Sequence, residues 1–407
     1  MQTDVVIIGA GPSGTMAASM VRQAGLNAII IEKEQFPRYI IGESLLPRCM
    51  DLLDEAGYLK AVEKQNFQKK YGAIFLQNKK VCQFNFSEQH TKGWTWTWQV
   101  PRDEFDKVLA DEAQKKGVEI RYLTEVTDID FFENKQLVHT KNYEGKEQTI
   151  ESRFVIDASG YGRVIPRLLK LDLPSDLAPR SSLFTQVKDI NRPAGDAGDR
   201  ITIVEVQQGV WIWIIPFSNG KTSVGVVAPP EFFDEYEGDY TEKLRTILND
   251  EPNTTDRFKN VAYAFNPIFI KSYSIAVKQL YGNGWALTGN ASEFLDPVFS
   301  SGVTFAMESG WKAGILAARQ LKGEAVDWDK EYVAHILHGV ETFRTYVNAW
   351  YDNTLQTVFF ADTINSKIKA QICSVLAGYV WDKSNPFVRN HSKTIYTLAS
   401  VIRKENA

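Results

Sequence analysis

Three glycines and one acidic residue near the start of the chain have the spacing of a phosphate-binding turn. The turn Gly9-Ala10-Gly11-Pro12-Ser13-Gly14 follows an apolar run and precedes a helical pattern. The first N–H groups of a helix are unpaired and lie at the positive end of its dipole, so a pyrophosphate can bind there if the backbone is accessible. Glu32 lies 18 residues beyond Gly14, where its carboxylate can accept hydrogen bonds from ribose hydroxyls. These residues favour a dinucleotide site over a purely structural turn.

The elements around this turn are short and well marked. Residues 5–8 and 28–31 are apolar runs of the kind that buried strands require, and the helical stretch between them ends near residue 24, before Gly25. Residues 4–32 therefore predict one βαβ unit, and with it a parallel sheet. Further along, Trp94, Trp96 and Trp98 alternate with polar residues, a period of two that predicts antiparallel strands with one aromatic face. A second, different sheet is expected there.

Composition and charge narrow the class of protein. The 407 residues carry a formal net charge of -4, with Lys and Arg scattered along the chain, which argues against nucleic acid or an anionic membrane surface as a partner. The three cysteines are far apart, and the five histidines show no metal-ligand spacing, so neither a disulfide framework nor a metal site is expected. No apolar run is long enough for a signal peptide or a membrane span. We expect a cytoplasmic protein.

Two other patterns could do chemistry. Trp211 and Trp213 are two residues apart on a predicted strand and share a face, where they could wall a pocket or simply pack in the core. The segment from Pro297 to Gly302 leads into a helix, so the N–H groups of Ser301 and Gly302 should favour an anion. That anion could be a free ion, or the same helix end could stabilise negative charge on a bound cofactor.

With these motifs the chain resembles the FAD-dependent oxidoreductases of the aromatic-hydroxylase-like fold over residues 1 to about 325. Arg102 with Phe105 and Asp106 resembles the helix that follows a flavin-contacting arginine, and the segment from Asp157 to Gly160 resembles the second nucleotide motif of the family. The third motif is represented by Asn290 together with Asp296 and Pro297. Family members usually have Asp where this chain has Asn290, whose amide oxygen can still accept a hydrogen bond. The resemblance implies FAD as the cofactor, and no second glycine fingerprint in the sequence offers NAD(P)H a site of its own.

Within that group, two signatures resemble the flavin-dependent halogenases. Residues 211–216 match the W-x-W-x-I-P element, and Phe294, Pro297, Ser300 and Gly302 match the F-x-x-P-x-x-S-x-G element. The stretch around Phe299 resembles the branch that acts on phenols and pyrroles, because the tryptophan-halogenating branch has Glu at this position. Free tryptophan is therefore a poor candidate for the substrate.

The halogenase resemblance also implies roles for two further segments. Lys70 is in register with the K-x-G lysine that receives or hydrogen-bonds hypohalous acid, although adjacent lysines such as Lys69 and Lys70 are usually solvated. The loop from Gly42 to Pro47 resembles the G-E-S-x-x-P segment over the flavin, with Arg38 just before it. Glu43 and Ser44 are thus further candidates for contact with the ring or the halide.

The resulting predictions can be stated by residue. We predict an α/β fold in which a Rossmann-type FAD-binding domain (1–72, 102–170 and 279–325) is interleaved with an antiparallel β-sheet substrate domain (73–101 and 171–278) and followed by a helical C-terminal region (326–407). The predicted catalytic residues are Lys70, Ser301 and Gly302. The predicted substrate pocket contains Trp96, Trp98, Trp211, Trp213 and Phe299. The predicted FAD contacts are Gly9, Gly11, Pro12, Ser13, Gly14, Glu32, Lys33, Arg38, Gly42, Glu43, Ser44, Arg102, Asp157, Gly160, Asn290, Asp296, Pro297 and Gly302.

The function implied is halogenation of a small electron-rich aromatic substrate, free or tethered to a carrier, with reduced FAD, oxygen and a halide ion. Reduced flavin would come from a separate flavin reductase or from transient contact with a pyridine nucleotide. Two alternatives stay open at this point. One is an FAD-dependent monooxygenase or an ene-reductase of the geranylgeranyl-reductase type, and the other is a non-catalytic flavoprotein that binds a partner.

Overall fold

A computed structural model describes residues 1–175, 177–271, 275–293 and 295–405 of the chain. Phe294, which the sequence placed in the second halogenase signature, lies outside the described residues. The strands, in chain order, are β1 (Gln2–Ile8), β2 (Ala28–Ile31), β3 (Gln68–Lys70), β4 (Gly72–Gln77), β5 (Lys80–Asn85), β6 (Thr97–Gln99), β7 (Glu119–Arg121), β8 (Thr124–Phe131), β9 (Gln136–Asn142), β10 (Glu147–Asp157), β11 (Asp172–Pro174), β12 (Ser181–Lys188), β13 (Ile201–Gln207), β14 (Val210–Pro216), β15 (Lys221–Ala228), β16 (Ile268–Lys271), β17 (Ile275–Val277), β18 (Tyr281–Gly282) and β19 (Trp285–Leu287).

The helices surround the sheets and dominate the C-terminal part. They are α1 (Pro12–Gln23), α2 (Arg48–Glu55), α3 (Leu59–Glu63), α4 (Arg102–Lys115), α5 (Val164–Leu169), α6 (Asp196–Asp199), α7 (Tyr240–Asp250), α8 (Thr255–Phe258), α9 (Ser301–Leu321), α10 (Ala334–Tyr351), α11 (Thr354–Phe359), α12 (Ser366–Leu376), α13 (Pro386–Arg389) and α14 (His391–Glu405). In the described part of the chain, no helix is long and apolar enough to cross a membrane.

The first sheet carries the predicted βαβ unit. Its central order is β18-β19-β10-β1-β2-β7, with β8 and β9 added beside β10. β1 pairs in parallel with both β10 and β2, and the four apolar residues of β2 are all buried. Because parallel strands are covered on both faces, these short runs read as continuously apolar. The carboxyl ends of β1 and β2 thus bring the glycine turn and Glu32 to the same edge.

The second sheet has the order β16-β12-β15-β14-β13-β4-β5 and is largely antiparallel. β13 and β14 form a hairpin in which Ile203 lies opposite Trp213 and Glu205 opposite Trp211. Ile201, Ile203, Trp211 and Trp213 therefore lie on the same face of this sheet. The mixed α/β fold with two sheets and a helical C-terminal region agrees with the predicted fold class.

One expectation about strands is wrong. Of the residues around Trp94, Trp96 and Trp98, only Thr97–Gln99 form a strand, and this strand pairs with β3 and not with the second sheet. The tryptophans stack edge to face, with ring centroids 5.7 Å apart for Trp94–Trp96 and 5.1 Å apart for Trp96–Trp98. Only Trp98 therefore lies in a strand ladder, whereas Trp94 and Trp96 are held by contacts between indole rings.

Candidate functional site

A cavity of about 620 Å³ lies between the two sheets, at the carboxyl ends of β1 and β2. The first sheet and α1 form one wall, and the second sheet, through Trp211 and Trp213, forms the other. The N-terminus of α9 closes one end. A cavity at the carboxyl edge of a parallel sheet is where α/β proteins bind nucleotides.

The glycines of the first turn have different tasks. A Cβ on Gly14 would lie 1.9 Å from the Gly9 carbonyl oxygen, and one on Gly9 would lie 2.5 Å from the Ala158 carbonyl oxygen. These two glycines therefore let the turn, α1 and the neighbouring loop pack closely. A Cβ on Gly11 would meet only the Arg38 side chain, at 3.5 Å, so Gly11 leaves its backbone open to the cavity.

The residues at this end of the cavity fit FAD. The Ser13 hydroxyl is buried in the first turn of α1, borders the cavity and has no hydrogen-bond partner among the described residues. α1 begins without a side-chain cap, so its first N–H groups are free for phosphate oxygens. Glu32 accepts hydrogen bonds from the backbone N–H groups of Ala10 at 2.8 Å and Glu34 at 2.9 Å, which fixes the carboxylate beside the turn.

Most of the predicted FAD contacts line this one cavity. The lining includes Gly9, Gly11, Pro12, Ser13, Glu32, Lys33, Arg38, Gly42, Glu43, Ser44, Arg102, Gly160, Asn290, Pro297 and Gly302. Gly14, Asp157 and Asp296 are not part of the lining.

The three predicted contacts outside the lining hold neighbouring backbone in place. Gly14 packs against the Gly9 carbonyl. The Asp157 carboxylate accepts from the N–H groups of Ser159 at 2.9 Å and Ile165 at 2.7 Å, which shapes the loop that carries Gly160. Asp296 accepts from the Val298 N–H at 3.0 Å and caps the short turn before α9.

Two arginines shape the loop over the cavity through one buried carboxylate. Arg102 donates to Asp106 at 2.8 and 3.0 Å, and Arg38 donates to the same carboxylate at 3.1 Å. A further N–H of Arg102 donates to the Ile41 carbonyl at 2.8 Å. Arg102 therefore borders the cavity and also fixes the loop that carries Glu43 and Ser44.

The loop that Arg102 holds in place carries a buried acid, Glu43. Glu43 is 1% exposed, and its carboxylate accepts from the Gln186 amide at 2.9 Å. Burial raises the pKa of Glu43 to about 7, because removal from water disfavours the charged form. A carboxyl group that borders the cavity can thus exchange a proton near neutral pH.

The predicted catalytic lysine is buried, unlike its neighbour. Lys70 is 2% exposed, and its Nζ donates to the Ser44 hydroxyl at 2.8 Å and to the Leu45 carbonyl at 2.9 Å. Burial lowers the pKa of Lys70 to about 7, so a large share of the amine is neutral at that pH. Lys69 is exposed and lies over the Trp96 ring. Lys70 does not line the main cavity but contacts Ser44, which does.

The predicted anion site lies at the start of α9. Ser300 has a left-handed backbone with φ of 57°, and no side chain caps the helix within the described residues. Its first N–H groups are thus available to another acceptor. Gly302 borders both the main cavity and a separate space of about 20 Å³, whereas Ser301 is buried and borders only the smaller space.

Only some of the residues predicted for the substrate pocket line the main cavity. Trp211 and Trp213 line the main cavity, with Trp213 Nε1 donating to the Ser223 hydroxyl at 3.1 Å. Trp96, Trp98 and Phe299 do not line it. Phe299 packs against Phe75, Tyr346 and Trp350 in an aromatic core.

Some cavity residues were missed by the sequence reasoning. Thr124, Glu125 and Val126 reach the cavity from β8, and Ile201 and Ile203 reach it from β13. Gly209 at the turn of the β13–β14 hairpin was the available signal for the isoleucines, because a hairpin places them on the face of Trp211 and Trp213. β8 carries no comparable motif.

Comparison with known proteins agrees with this geometry. A family described as an FAD binding domain matches residues 2–257. A 1H-pyrrole-2-carbonyl peptidyl-carrier-protein chlorinase from Pseudomonas fluorescens is 28% identical, over 93% of this chain and 89% of the relative. The corresponding brominase from Pseudoalteromonas luteoviolacea is 29% identical, over 82% of this chain and 80% of the relative.

Solved structures show the same relationship. A flavoprotein/dehydrogenase from Cytophaga hutchinsonii is 54% identical, with a TM-score of 0.98 and full coverage of both chains. A flavin-dependent brominase is 26% identical, with a TM-score of 0.85 over 99% of this chain and 100% of the other. FAD as the cofactor and the halogenase-like type are thereby confirmed. The chain belongs to the FAD binding domain family and is an FAD-dependent oxidoreductase of the halogenase-like type.

Proposed function

We propose that this protein halogenates an electron-rich aromatic ring of the phenol or pyrrole class, with Lys70 as the side chain that receives the oxidant. The observation that carries the proposal is the environment of Lys70. It is a buried lysine with two fixed hydrogen bonds, joined through Ser44 to the cavity that fits FAD. Bound reduced FAD, with oxygen and halide, supplies hypohalous acid.

The proposed role of Lys70 as a nucleophile requires a neutral amine. A neutral amine is a nucleophile, whereas an ammonium ion has no lone pair. Attack of the amine on the halogen of hypohalous acid forms an N–halogen bond and releases water, and transfer of that halogen to the ring returns the amine. Burial, which lowers the pKa of Lys70 to about 7, keeps this nucleophile available at neutral pH.

The proposal also covers the halide site, the substrate and the source of reduced FAD. We place the halide at the first turn of α9, beside Gly302, where free N–H groups and the helix dipole favour an anion. The curated relatives named above act on a pyrrole carried by a peptidyl-carrier protein. For this chain we propose the same substrate class, either free or tethered to a carrier, and a separate flavin reductase as the source of reduced FAD.

The test follows the product of one turnover. The FAD-loaded protein is reduced without oxygen and then mixed with ¹⁸O₂, bromide and resorcinol, and the phenol is analysed by mass spectrometry. Brominated resorcinol supports the proposal. Resorcinol that gains ¹⁸O and no bromine would instead identify a hydroxylase.

Variants of the two adjacent lysines separate the role of Lys70 from a general charge effect. Lys70→Ala should consume oxygen at the normal rate and form at least about a hundredfold less brominated product, because the oxidant forms before the lysine acts. Lys70→Arg should not restore the product, since a guanidinium stays charged. Lys69→Ala, the matched control on the exposed side of β3, should retain product formation. Product formation by Lys70→Ala at the normal yield would contradict the assignment.

A further inference from the structure

Ser44 is the point at which the cavity and Lys70 meet. Its side chain borders the main cavity, and its hydroxyl oxygen accepts the hydrogen bond from Lys70 Nζ at 2.8 Å. The Leu45 carbonyl accepts the second hydrogen bond from the amine, but Leu45 is not among the described residues that line the cavity. We infer that Ser44 is a positioning residue, whose hydroxyl orients the amine of Lys70 toward oxidant that leaves the flavin cavity. This inference rests on the proposed function of Lys70.

Backbone hydrogen bonds hold Ser44 in place. The Val100 N–H donates to the Glu43 carbonyl at 2.7 Å, and the Leu45 N–H donates to the Trp98 carbonyl at 3.1 Å. These bonds attach the loop to β6, and Ser44 lies opposite Gln99 in an antiparallel bridge. β6 in turn pairs with β3.

The same ladder places the lysine. Lys70 lies opposite Thr97 in the pairing of β3 with β6. Loop, β6 and β3 therefore form three adjacent extended segments, with Ser44 on one outer segment and Lys70 on the other. Gly72, two residues after Lys70, lets β4 approach β5, since a Cβ there would lie 1.9 Å from the Phe84 carbonyl oxygen. Backbone pairing therefore sets the relative position of the two residues, and the hydrogen bond joins their side chains.

The number of acceptors around the amine explains why the hydroxyl matters. A neutral lysine amine has two N–H groups and one lone pair. The Ser44 hydroxyl and the Leu45 carbonyl can accept one hydrogen bond each, so both N–H groups are occupied and the lone pair has a defined direction. Without the hydroxyl, one buried N–H loses its acceptor and the amine can rotate about its last bond. The nucleophile would then lose its orientation without losing its chemical identity.

The test measures the amine directly and does not depend on turnover alone. Protein labelled with ¹³C at lysine Cε is titrated by NMR with FAD bound, and the Lys70 signal is assigned by its absence in Lys70→Arg. In Ser44→Ala the midpoint of the Lys70 titration should fall by about one pH unit, because the ammonium form loses an acceptor. Ser44→Thr, which keeps the hydroxyl, should restore the midpoint. Ser182→Ala, a buried serine elsewhere on the cavity wall, should leave the Lys70 midpoint unchanged.

Turnover supplies the second measurement. At saturating FAD, brominated resorcinol formed per oxygen consumed should fall at least about tenfold in Ser44→Ala and recover in Ser44→Thr. A product loss without a shift of the Lys70 titration would place the action of Ser44 on the flavin or the halide and overturn the inference. A shift without a loss of product would overturn it as well. If the wild-type protein forms no brominated product, the proposed function fails, whereas an unshifted Lys70 titration in Ser44→Ala removes the positioning role independently.

Discussion

Two helix N-termini point into the same cavity, and they are built in different ways. α1 begins at a turn of three glycines that are close in sequence, whereas α9 begins at Ser300, a non-glycine residue with a left-handed backbone. The two helices lie against each other. A Cβ on Gly310 of α9 would come within 2.1 Å of the Ser13 carbonyl oxygen in α1. The start of α1 is therefore determined by residues close in sequence, whereas the start of α9 depends on the contacts that keep Ser300 in its left-handed conformation.

Long-range contacts hold the start of α9. Asp296 caps the turn before Ser300, and its other carboxylate oxygen accepts from the Tyr351 hydroxyl at 2.7 Å, at the end of α10. Trp211 Nε1 donates to the same Tyr351 hydroxyl at 3.1 Å. The proposed halide end is therefore connected to the cavity wall and to the C-terminal helices. The residues predicted for the phosphate end, in contrast, lie close together in sequence within the βαβ unit.

The largest expected effect breaks the local terminus. Gly14→Ala should weaken FAD binding at least about a hundredfold and lower the free energy of unfolding by about 2–4 kcal/mol, because the new Cβ would lie 1.9 Å from the Gly9 carbonyl oxygen. Flavin fluorescence titration and denaturant unfolding measure the two effects.

Gly11→Ala is the matched control for this change. Its Cβ would touch only the end of the Arg38 side chain, so the free energy of unfolding should stay within about 0.5 kcal/mol of wild type. Its FAD affinity should fall by about tenfold, since Gly11 borders the cavity. Equal stability losses in the two variants would show that the turn does not depend on the close packing of Gly14.

An intermediate effect is expected from Gly302→Val at the other terminus. The branched side chain should obstruct the first turn of α9 and lower bromide-dependent product at least about tenfold, while FAD stays bound through α1. The measurements are the bromide dependence of product formation and the dissociation constant for FAD. If FAD affinity falls in parallel with product, the start of α9 serves the flavin and not the halide.

The contrast between the termini also explains what sequence could and could not predict. The glycine turn and Glu32 were predictable, because spacing along one βαβ unit fixes their positions. The burial of Lys70 was not, since a pair of lysines usually lies in water and only the pairing of β3 with β6 brings Lys70 inside. The contact between Ser44 and Lys70 joins residues 26 positions apart through a third segment. No periodicity reports such a contact.

The aromatic residues also show how far a sequence pattern can predict the environment of a side chain. Trp211 and Trp213 lie on a regular strand, so their shared face followed from a period of two. Trp94 and Trp96 have the same spacing without forming a strand, and their rings meet edge to face. Phe299, adjacent to the proposed halide end, packs in an aromatic core that is completed by α10. Alternation alone does not distinguish these environments.

The smallest expected effect concerns the acid that supports the start of α9. Burial raises the pKa of Asp296 to about 6, although hydrogen bonds from Tyr351 and the Val298 N–H oppose the shift. The folded protein therefore binds a proton more tightly than the unfolded chain between about pH 4 and pH 6, and its stability decreases as the pH rises through this window. Asp296→Asn removes that dependence and can keep the cap to Val298. As the pH rises from 4 to 7, the free energy of unfolding of Asp296→Asn should therefore increase by about 1–2 kcal/mol relative to that of wild type.

Denaturant unfolding across this pH range tests the assignment, and a second variant sharpens it. Tyr351→Phe removes a donor that favours the carboxylate, so the pKa of Asp296 should rise further and the decrease in stability should extend to higher pH. FAD affinity should change by less than about threefold in Asp296→Asn, because Asp296 does not line the main cavity and the pyrophosphate binds at α1. Parallel stability curves for wild type and Asp296→Asn would show that the carboxyl group is not the titrating group. A loss of FAD comparable to that of Gly14→Ala would show that the two helix termini are one site and not two.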